Sequence, residues 1–217
     1  YPFNLDMTAS IGTITFRKPV TFFFGENGTG KSTILKAICS RCGIYRWHGI
    51  QRTKYTSNQY ENKLPSSVDI QWNERVPGSF FGSETFTNFS AILDEWASTD
   101  PGVLEYFGGK SLRELSHGQS IMAFFKSRYT KKGIYFLDEP ETALSPKTQL
   151  GLLEVLEEAA ESGIAQFVIA THSPILSSCK NAEILSFDKI PPEYVDYKQT
   201  DHYNVYRNFF AEQKSEE

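Results

Sequence analysis

The most constraining feature of this sequence is the segment at residues 25–32, which reads GENGTGKS and matches the pattern GxxxxGK[ST] at every fixed position. An apolar run at residues 20–24 precedes it, and a helix is predicted to follow from Ser32. Glycines let the backbone curl so that successive N–H groups point into one concave nest, and the start of the helix adds the positive end of its dipole. The segment therefore predicts a phosphate-binding loop between a strand and a helix.

Each residue type in the loop has a chemical reason to be there. Lys31 can reach the β- and γ-phosphates of a nucleoside triphosphate, and the Ser32 hydroxyl can ligate Mg²⁺. The alternative is a glycine-rich turn without a ligand, which the preceding strand and the following helix disfavour. The cofactor-binding residues predicted here are Gly25, Asn27, Gly28, Gly30, Lys31, Ser32 and Thr33.

A second chemical element is the sequence IYFLDE at residues 134–139, an apolar strand that ends in two acids. Ligands of open α/β folds bind at the carboxyl edge of the sheet, which is where these carboxylates would lie. We expect Asp138 to hold Mg²⁺ and Glu139 to act catalytically by orienting and polarising the attacking water. Two solvated acids in a turn are the alternative.

The hexapeptide LSHGQS at residues 115–120 resembles the LSGGQ signature of ABC-type ATPases, with His117 in place of the first glycine. The resemblance implies that Ser116, Gly118 and Gln119 open a helix and bind the nucleotide of a partner subunit. By itself, the hexapeptide is equally compatible with Ser116 capping a helix.

Two further segments follow in the order found in that family. Residues 141–146 (ETALSP) resemble the loop that crosses the dimer interface, although Ser145 stands where many members carry aspartate. His172 follows a buried strand and resembles the switch histidine that touches the γ-phosphate. Over its whole length the chain resembles small stand-alone bacterial ATPases of the ABC/AAA P-loop group, which are related to SMC-like and transporter ATPase heads.

The glutamine that this family uses near Mg²⁺ has no clear counterpart. Gln51, Gln59 and Gln71 do not lie at a convincing strand-to-helix junction. Residues 80–86 do, and Ser83 or Glu84 can take that place.

The hydrophobic pattern predicts an α/β P-loop fold of the ABC-ATPase type, with a mostly parallel central sheet flanked by helices. It includes an antiparallel β portion near the N-terminus. We expect one domain over residues 1–217, with an irregular or helical lobe inserted at about 41–110. The predicted strands are residues 13–16, 20–24, 68–72, 134–137, 167–170 and 184–187. The predicted helices are residues 32–39, 86–98, 117–129, 146–162 and 201–211.

Composition excludes several classes of protein. A formal net charge of −4 over 217 residues argues against a surface that coats nucleic acid throughout. No apolar run approaches the roughly 20 residues of a membrane span. The lack of a disulfide framework makes a reducing, cytoplasmic setting the expectation. The chain begins at Tyr1, and we expect the native chain to be longer. Its 3 cysteines do not form a disulfide framework, and we interpret the pair Cys39 and Cys42 as incidental rather than as a zinc or redox site.

A basic and aromatic segment separates the loop from the signature. The two residue types alternate there, as in surfaces that bind single-stranded nucleic acid, but an irregular subdomain with inward-facing rings is the favoured interpretation. Tyr45 or Trp47 can also stack on adenine. The basic residues are Arg41, Arg46, Arg52, Lys54 and Lys63, the acid is Glu61, and the further aromatic residues are Tyr55 and Tyr60.

Together these motifs predict a protein that binds ATP and Mg²⁺ and hydrolyses ATP at composite sites of a head-to-tail homodimer. We expect a soluble ATP-driven switch in DNA repair or phage defence, acting on a nucleic acid or protein partner. The alternative is the nucleotide-binding subunit of an ABC membrane transporter. A scaffold that binds nucleotide without turnover is a third option, which Glu139 disfavours.

Overall fold

The computed structural model describes residues 6–45, 63–107, 109–112 and 114–215. The helices are α1 (Asp6–Ser10), α2 (Lys31–Arg41), α3 (Ser83–Thr99), α4 (His117–Arg128), α5 (Pro146–Glu161) and α6 (Asp201–Ser215). The strands are β1 (Val20–Phe24), β2 (Gly78–Gly82), β3 (Gly133–Asp138), β4 (Ala165–Thr171), β5 (Ala182–Ser186) and β6 (Glu193–Val195). Short 3₁₀ turns lie at Leu64–Ser67, Pro101–Phe107, Pro140–Ala143, Leu176–Ser178 and Tyr197–Gln199.

Within the described part of the chain, the strands form one six-stranded sheet in the order β2-β3-β4-β1-β5-β6. Neighbours from β2 to β5 are parallel, and β6 is antiparallel to β5. Both β1 and β3 are buried at every position, as expected for parallel strands covered by helices on both faces. The predicted mostly parallel α/β sheet is confirmed.

Alternation along β1 divides the core into two layers. Phe22 and Phe24 pack into the cluster that contains side chains of α3, α4 and α5, whereas Phe23 packs into the cluster that contains those of α2. Successive side chains of a strand point to opposite faces, so the run VTFFF supplies both layers. The phosphate-loop helix is thereby held on one face and the signature helix on the other.

Aromatic rings fix the signature helix α4 against the edge strand β2. The ring centroid of Phe81 on β2 lies 4.7 Å from that of Phe125 on α4 and 5.5 Å from that of Phe86 on α3. The Phe124 ring on α4 lies 5.3 Å from Phe89 on α3 in an edge-to-face arrangement. Such pairs contribute roughly 0.5–1.5 kcal/mol each beyond the area they bury. The C-terminal half of α4 is therefore packed tightly against β2 and α3.

The helices predicted from periodicity are all present, with bounds shifted by a few residues. The strand predicted at residues 13–16 is wrong, because residues 11–17 form no regular structure. Side chains, not a backbone ladder, tie this segment to the sheet: Arg17 N donates to Glu183 Oε1 at 2.8 Å, and Tyr194 Oη donates to Thr15 O at 2.9 Å. The antiparallel pair is instead β5 with β6.

The strand predicted at residues 68–72 is also wrong. Val68, Ile70 and Trp72 do pack against the core layer beside α2, but their backbone joins no ladder. The short elements α1, β2 and β6 have no periodic signal of their own. Strand β2 lies inside the range 41–110 yet belongs to the central sheet, and the extent of the inserted lobe stays a prediction. No helix of the described residues is both long and apolar enough to span a membrane.

Close approach of β2 and β3 requires glycine at position 78. A Cβ atom there would lie 2.4 Å from both Ile134 O and Ile44 Cδ1. We expect Gly78→Ala to lower the free energy of unfolding by about 1–3 kcal/mol, because backbone as well as side chain must move. The control Gly12→Ala, whose Cβ meets no atom within 4 Å, should change it by less than about 0.5 kcal/mol. Urea unfolding measures both, and equal midpoints for the two variants would contradict the packing described.

Candidate active site

The register of three parallel strands brings the predicted motifs to one edge of the sheet. Strand β4 lies between β1 and β3, with Phe24 paired to Thr171 and Asp138 paired to Ala170. The residues that follow these strand ends are the phosphate loop, Glu139 and His172. Their proximity therefore follows from backbone hydrogen bonding.

The loop at residues 25–32 has the backbone of a phosphate nest. Gly25, Gly28 and Gly30 have φ values of 146°, 85° and 99°, a region that favours glycine. A Cβ atom on Gly25 would also lie 2.7 Å from Asp188 Oδ1. Gly30 precedes α2 without a side-chain cap, which leaves the positive end of the helix facing the loop. Asn27 and Gly28 are exposed at the loop tip, and Ser32 and Thr33 lie in the first turn of α2.

Lys31 lies at the centre of the loop. Its residue is 3% exposed, and Nζ donates to Gly25 O and Glu26 O, each at 2.7 Å. Burial lowers the pKa of Lys31, and the negative charges of nearby carboxylates oppose that effect. Those carboxylates belong to Glu139, Asp188, Glu141 and Glu26. A buried cation beside a positive helix end is suited to an anionic ligand.

The Asp138 carboxylate is buried beside α2. Oδ2 lies 2.6 Å from Lys36 Nζ, a partner that sequence reasoning missed, and Oδ1 makes no hydrogen bond within the described residues. Lys36 lies one helical turn after Ser32 on α2, and a buried carboxylate oxygen without a hydrogen-bond partner is a hard donor of the kind Mg²⁺ prefers. These residues fit the predicted magnesium site.

Glu139 has a strained backbone. Its φ of 48° and ψ of 56° place it in the left-handed region, which is uncommon for a residue with a side chain. Neighbours hold it there: Glu139 N donates to Ala170 O at 2.9 Å, and Thr142 Oγ1 donates to Glu139 O at 2.9 Å. The turn thus sets the direction in which the half-buried Glu139 side chain leaves the sheet.

Glu141 is a site residue that sequence reasoning placed only in the interface loop. It is 5% exposed, and Oε1 accepts hydrogen bonds from Thr171 Oγ1 at 2.6 Å and from His172 N at 2.9 Å. Burial raises the pKa of Glu141, and these donors partly offset the rise. An acid three residues after Asp138 was the available signal.

His202, in the first turn of α6, is a second missed residue. Its Nε2 lies 3.6 Å from Glu26 Oε1, and its ring centroid lies 6.4 Å from that of His172. The ring also packs edge-on against Phe24 at 5.0 Å. The C-terminal helix therefore begins at the loop, which periodicity could not show.

The signature residues lie at the start of α4. Ser116 caps the helix: Gln119 N donates to Ser116 Oγ at 3.4 Å, and Ser116 N donates to Gln119 Oε1 at 3.0 Å. Within the described residues, no hydrogen bond or ion pair joins Ser116, Gly118 or Gln119 to residues 25–32. The capping interpretation is thus confirmed for the single chain, and nucleotide contact by this helix start stays a prediction.

The strand-to-helix junction expected to replace the family's glutamine lies at the end of β2. Gly82 pairs with Asp138 in the sheet, so the junction with α3 places Ser83 next to the site edge. Gln71 lies in an irregular stretch before β2, and Gln51 and Gln59 lie outside the described residues. Ser83 and Glu84 stay the candidates.

Tyr45 does not support the predicted adenine contact. It follows the far end of α2, an 11-residue helix that is about 16 Å long. There it lines a cavity of about 390 Å³ with Gly78 and Phe80 from β2. Among the segment's basic residues, Arg41 lies 3.6 Å from Asp69 and Lys63 precedes a 3₁₀ turn. The other residues of that segment, Arg46, Trp47, Arg52, Lys54, Tyr55, Tyr60 and Glu61, lie outside the described residues.

The cysteines are buried and form no disulfide with one another, and burial raises the pKa of Cys42 to about 11 and that of Cys179 to about 12. The part of the chain that the structure describes holds no group of three or more His, Cys, Asp or Glu side chains able to bind a metal. Cys39 and Cys42 pack in the core layer beside α2.

Comparison with known proteins gives matches over most of the chain. Residues 109–178 match the family model described as "AAA domain, putative AbiEii toxin, Type IV TA system", and residues 10–70 match a model described as "AAA domain". The manganese transport system ATP-binding protein MntA of Synechocystis sp. is 28% identical over 203 residues, covering 85% of this chain and 74% of its own length. The high-affinity branched-chain amino acid transport ATP-binding protein BraG of Pseudomonas aeruginosa is 21% identical, covering 69% of each chain.

A solved structure has the same fold. The chain titled "An inward-facing conformation of a putative metal-chelate type ABC transporter" aligns with a TM-score of 0.53 at 18% identity. The alignment covers 88% of this chain and 78% of that chain.

Proposed function

We propose that this chain, a P-loop protein of the ABC/AAA ATPase type, binds ATP with Mg²⁺ and hydrolyses it at composite sites of a head-to-tail dimer. The observation that carries the proposal is the convergence of the loop at residues 25–32, the acids Asp138 and Glu139, and His172 at the carboxyl ends of β1, β3 and β4. We further propose that residues 1–217 act as one domain.

The phosphate groups are bound by the loop and by the start of α2. The amides of the nest, with Lys31, supply donors and positive charge, and Lys31 exchanges its contacts with Gly25 O and Glu26 O for phosphate oxygens. Ser32 and Asp138 would hold a magnesium ion, which would neutralise charge on the phosphate oxygens.

Hydrolysis requires a water placed in line with the γ-phosphate. Glu139 orients this water and takes its proton, because it leaves β3 beside the end of β4, where its N donates to Ala170 O. His172 donates to the γ-phosphate from the neighbouring strand end. The rigid turn around Glu139 holds the carboxylate in place.

Dimerisation completes the site. The phosphate loop and the signature begin different helices on opposite faces of one sheet, and the aromatic cluster fixes α4 in its place. A second copy related by a two-fold axis brings its Ser116, Gly118 and Gln119 over the nucleotide. In that arrangement the capping box at Ser116 opens, and its amides turn to phosphate.

Two candidate functions differ in the partner on which the ATP-binding and hydrolysis cycle acts. One is a soluble ATP-driven switch that acts on nucleic acid or protein in repair or defence. The matched family description over residues 109–178, which names a type IV TA system toxin, supports a task other than transport. The second is a transporter's nucleotide-binding subunit, which the names of MntA and BraG favour.

Binding and chemistry separate in two variants. We expect Lys31→Ala to weaken ATP binding by about tenfold or more, since a charge-assisted contact contributes roughly 1.5–3 kcal/mol.

We expect Glu139→Gln to keep ATP affinity and to lower turnover by about 10² or more, because the carboxylate acts on water in the transition state. Nucleotide titration and phosphate release measure the two quantities. The control Lys18→Ala, an exposed lysine before β1, should change neither. Unchanged affinity in Lys31→Ala would refute the assignment of the loop.

Mixing two inactive variants tests the dimer. Ser116→Arg should still bind ATP but not hydrolyse it, because bulk and charge at the signature block closure over the partner's nucleotide. A heterodimer of Ser116→Arg with Glu139→Gln contains one site with both defects and one with neither. We expect the mixture to recover part of the wild-type phosphate release.

The composition of the mixture should matter in a definite way. Recovery should be greatest near equal amounts of the two variants and should vanish with either one alone. Full activity of Ser116→Arg by itself would remove the signature from the mechanism.

A further inference from the structure

Glu141 is a buried acid that contacts the backbone and lies beside the ring of His172. It lies in the Pro140–Ala143 turn, directly after Glu139, and is 5% exposed. Its Oε1 accepts from Thr171 Oγ1 at 2.6 Å and from His172 N at 2.9 Å. Burying an unpaired carboxylate costs folding free energy, so the hydrogen bonds from Thr171 and His172 hold the Glu141 side chain in place.

The same oxygen lies beside the His172 ring. Oε1 is 3.4 Å from Nδ1, close enough for an ion pair, although the contact does not meet hydrogen-bond geometry. Both His172 Nδ1 and Glu141 Oε2 are buried atoms without a hydrogen-bond partner among the described residues. The His172 side chain is 37% exposed, so its accessible edge is the one that carries Nε2. The Glu141 carboxylate can satisfy the buried Nδ1 if Nδ1 carries the proton.

We propose that Glu141 is a positioning residue that accepts a hydrogen bond from Nδ1–H of His172 and thereby fixes the tautomer and direction of the switch histidine. A neutral imidazole has one N–H, and the acceptor behind the ring decides which nitrogen carries it. With Nδ1–H held by Glu141, Nε2 faces outward to the phosphate site. When Nε2 carries a proton as well, the ring donates one hydrogen bond to Glu141 and the other to the γ-phosphate. The assignment of γ-phosphate as the target rests on the proposed function.

A chain of hydrogen bonds links Glu141 and His172 to the end of the turn that follows Glu139. Thr171 Oγ1 accepts from Ser173 N at 2.9 Å, Ser173 Oγ donates to Gln149 Oε1 at 2.7 Å, and Gln149 Nε2 donates to Leu144 O at 3.1 Å. Leu144 directly follows the turn that begins at Glu139. The turn and the switch segment are thus tied at both ends, and the orientation of His172 depends on the turn that orients Glu139.

The tautomer can be read in nucleotide-free protein. Long-range ¹⁵N–¹H correlation spectra of histidine-labelled protein near pH 8 distinguish a protonated Nδ1 from a protonated Nε2. The chain has 4 histidines, and His172→Asn identifies the signal of His172. We expect Nδ1–H in the wild type and a shift toward Nε2–H in Glu141→Gln, which loses the carboxylate charge.

Thr171→Val is the matched control. It removes another hydrogen bond to the same carboxylate but leaves Glu141 beside Nδ1, so the Nδ1–H tautomer should persist. A wild-type His172 protonated at Nε2 overturns the proposal, and this result does not depend on whether any variant folds. Retention of Nδ1–H in Glu141→Gln overturns it as well.

Turnover supplies an independent readout. In Glu141→Gln we expect kcat to fall about 10- to 100-fold with KM for ATP within about threefold, because the ring loses its alignment while the phosphate loop is untouched. An unchanged kcat, in protein whose tautomer has shifted, would overturn the link between His172 orientation and the reaction. If the wild type does not hydrolyse ATP, the proposed function fails, whereas the tautomer measurement still decides the role of Glu141.

Discussion

The hydrogen-bond register of β4 with β1 on one side and β3 on the other is the constraint on which the site depends. The register aligns Phe24 with Thr171 and Ala170 with Asp138, so the chain leaves the sheet three times at one edge. A slip by one residue would exchange the two faces of the strand, so that fully buried side chains such as Phe167 and Val168 would enter the wrong core layer. Burial of both faces thus fixes the relative positions of the loop, Glu139 and His172.

Charge balance is the second constraint at this edge. Lys31 is surrounded by the carboxylates of Glu139, Glu141, Asp188 and Glu26, and Asp138 is paired with Lys36. A bound triphosphate would bring further negative charge into the same space. The helix dipole of α2 and Lys31 would offset part of it, and a divalent cation on Asp138 would offset more. The acids that the site already holds therefore support the proposed role of Mg²⁺.

The local motifs and the buried strands were predictable because each has a short-range signal. The glycine spacing at residues 25–32 identifies the loop, and these glycines do adopt positive φ. Continuous apolar runs identify β1, β3 and β4. The contacts that Glu141 and His202 make were not predictable, since both join residues far apart in the chain. The failed strand at residues 13–16 has the alternation of a strand but is held by side-chain bonds to Glu183 and Tyr194, which no local pattern reveals.

Hydrogen–deuterium exchange of the Glu139→Gln protein, with and without Mg-ATP, tests the central claim most directly. Bound nucleotide occupies the amides of the nest and braces the neighbouring strand ends. We therefore expect the strongest added protection in peptides that cover residues 25–32, and weaker protection around Asp138 and His172. Absence of nucleotide-dependent protection at residues 25–32 would contradict the account, even if exchange slowed elsewhere in the chain.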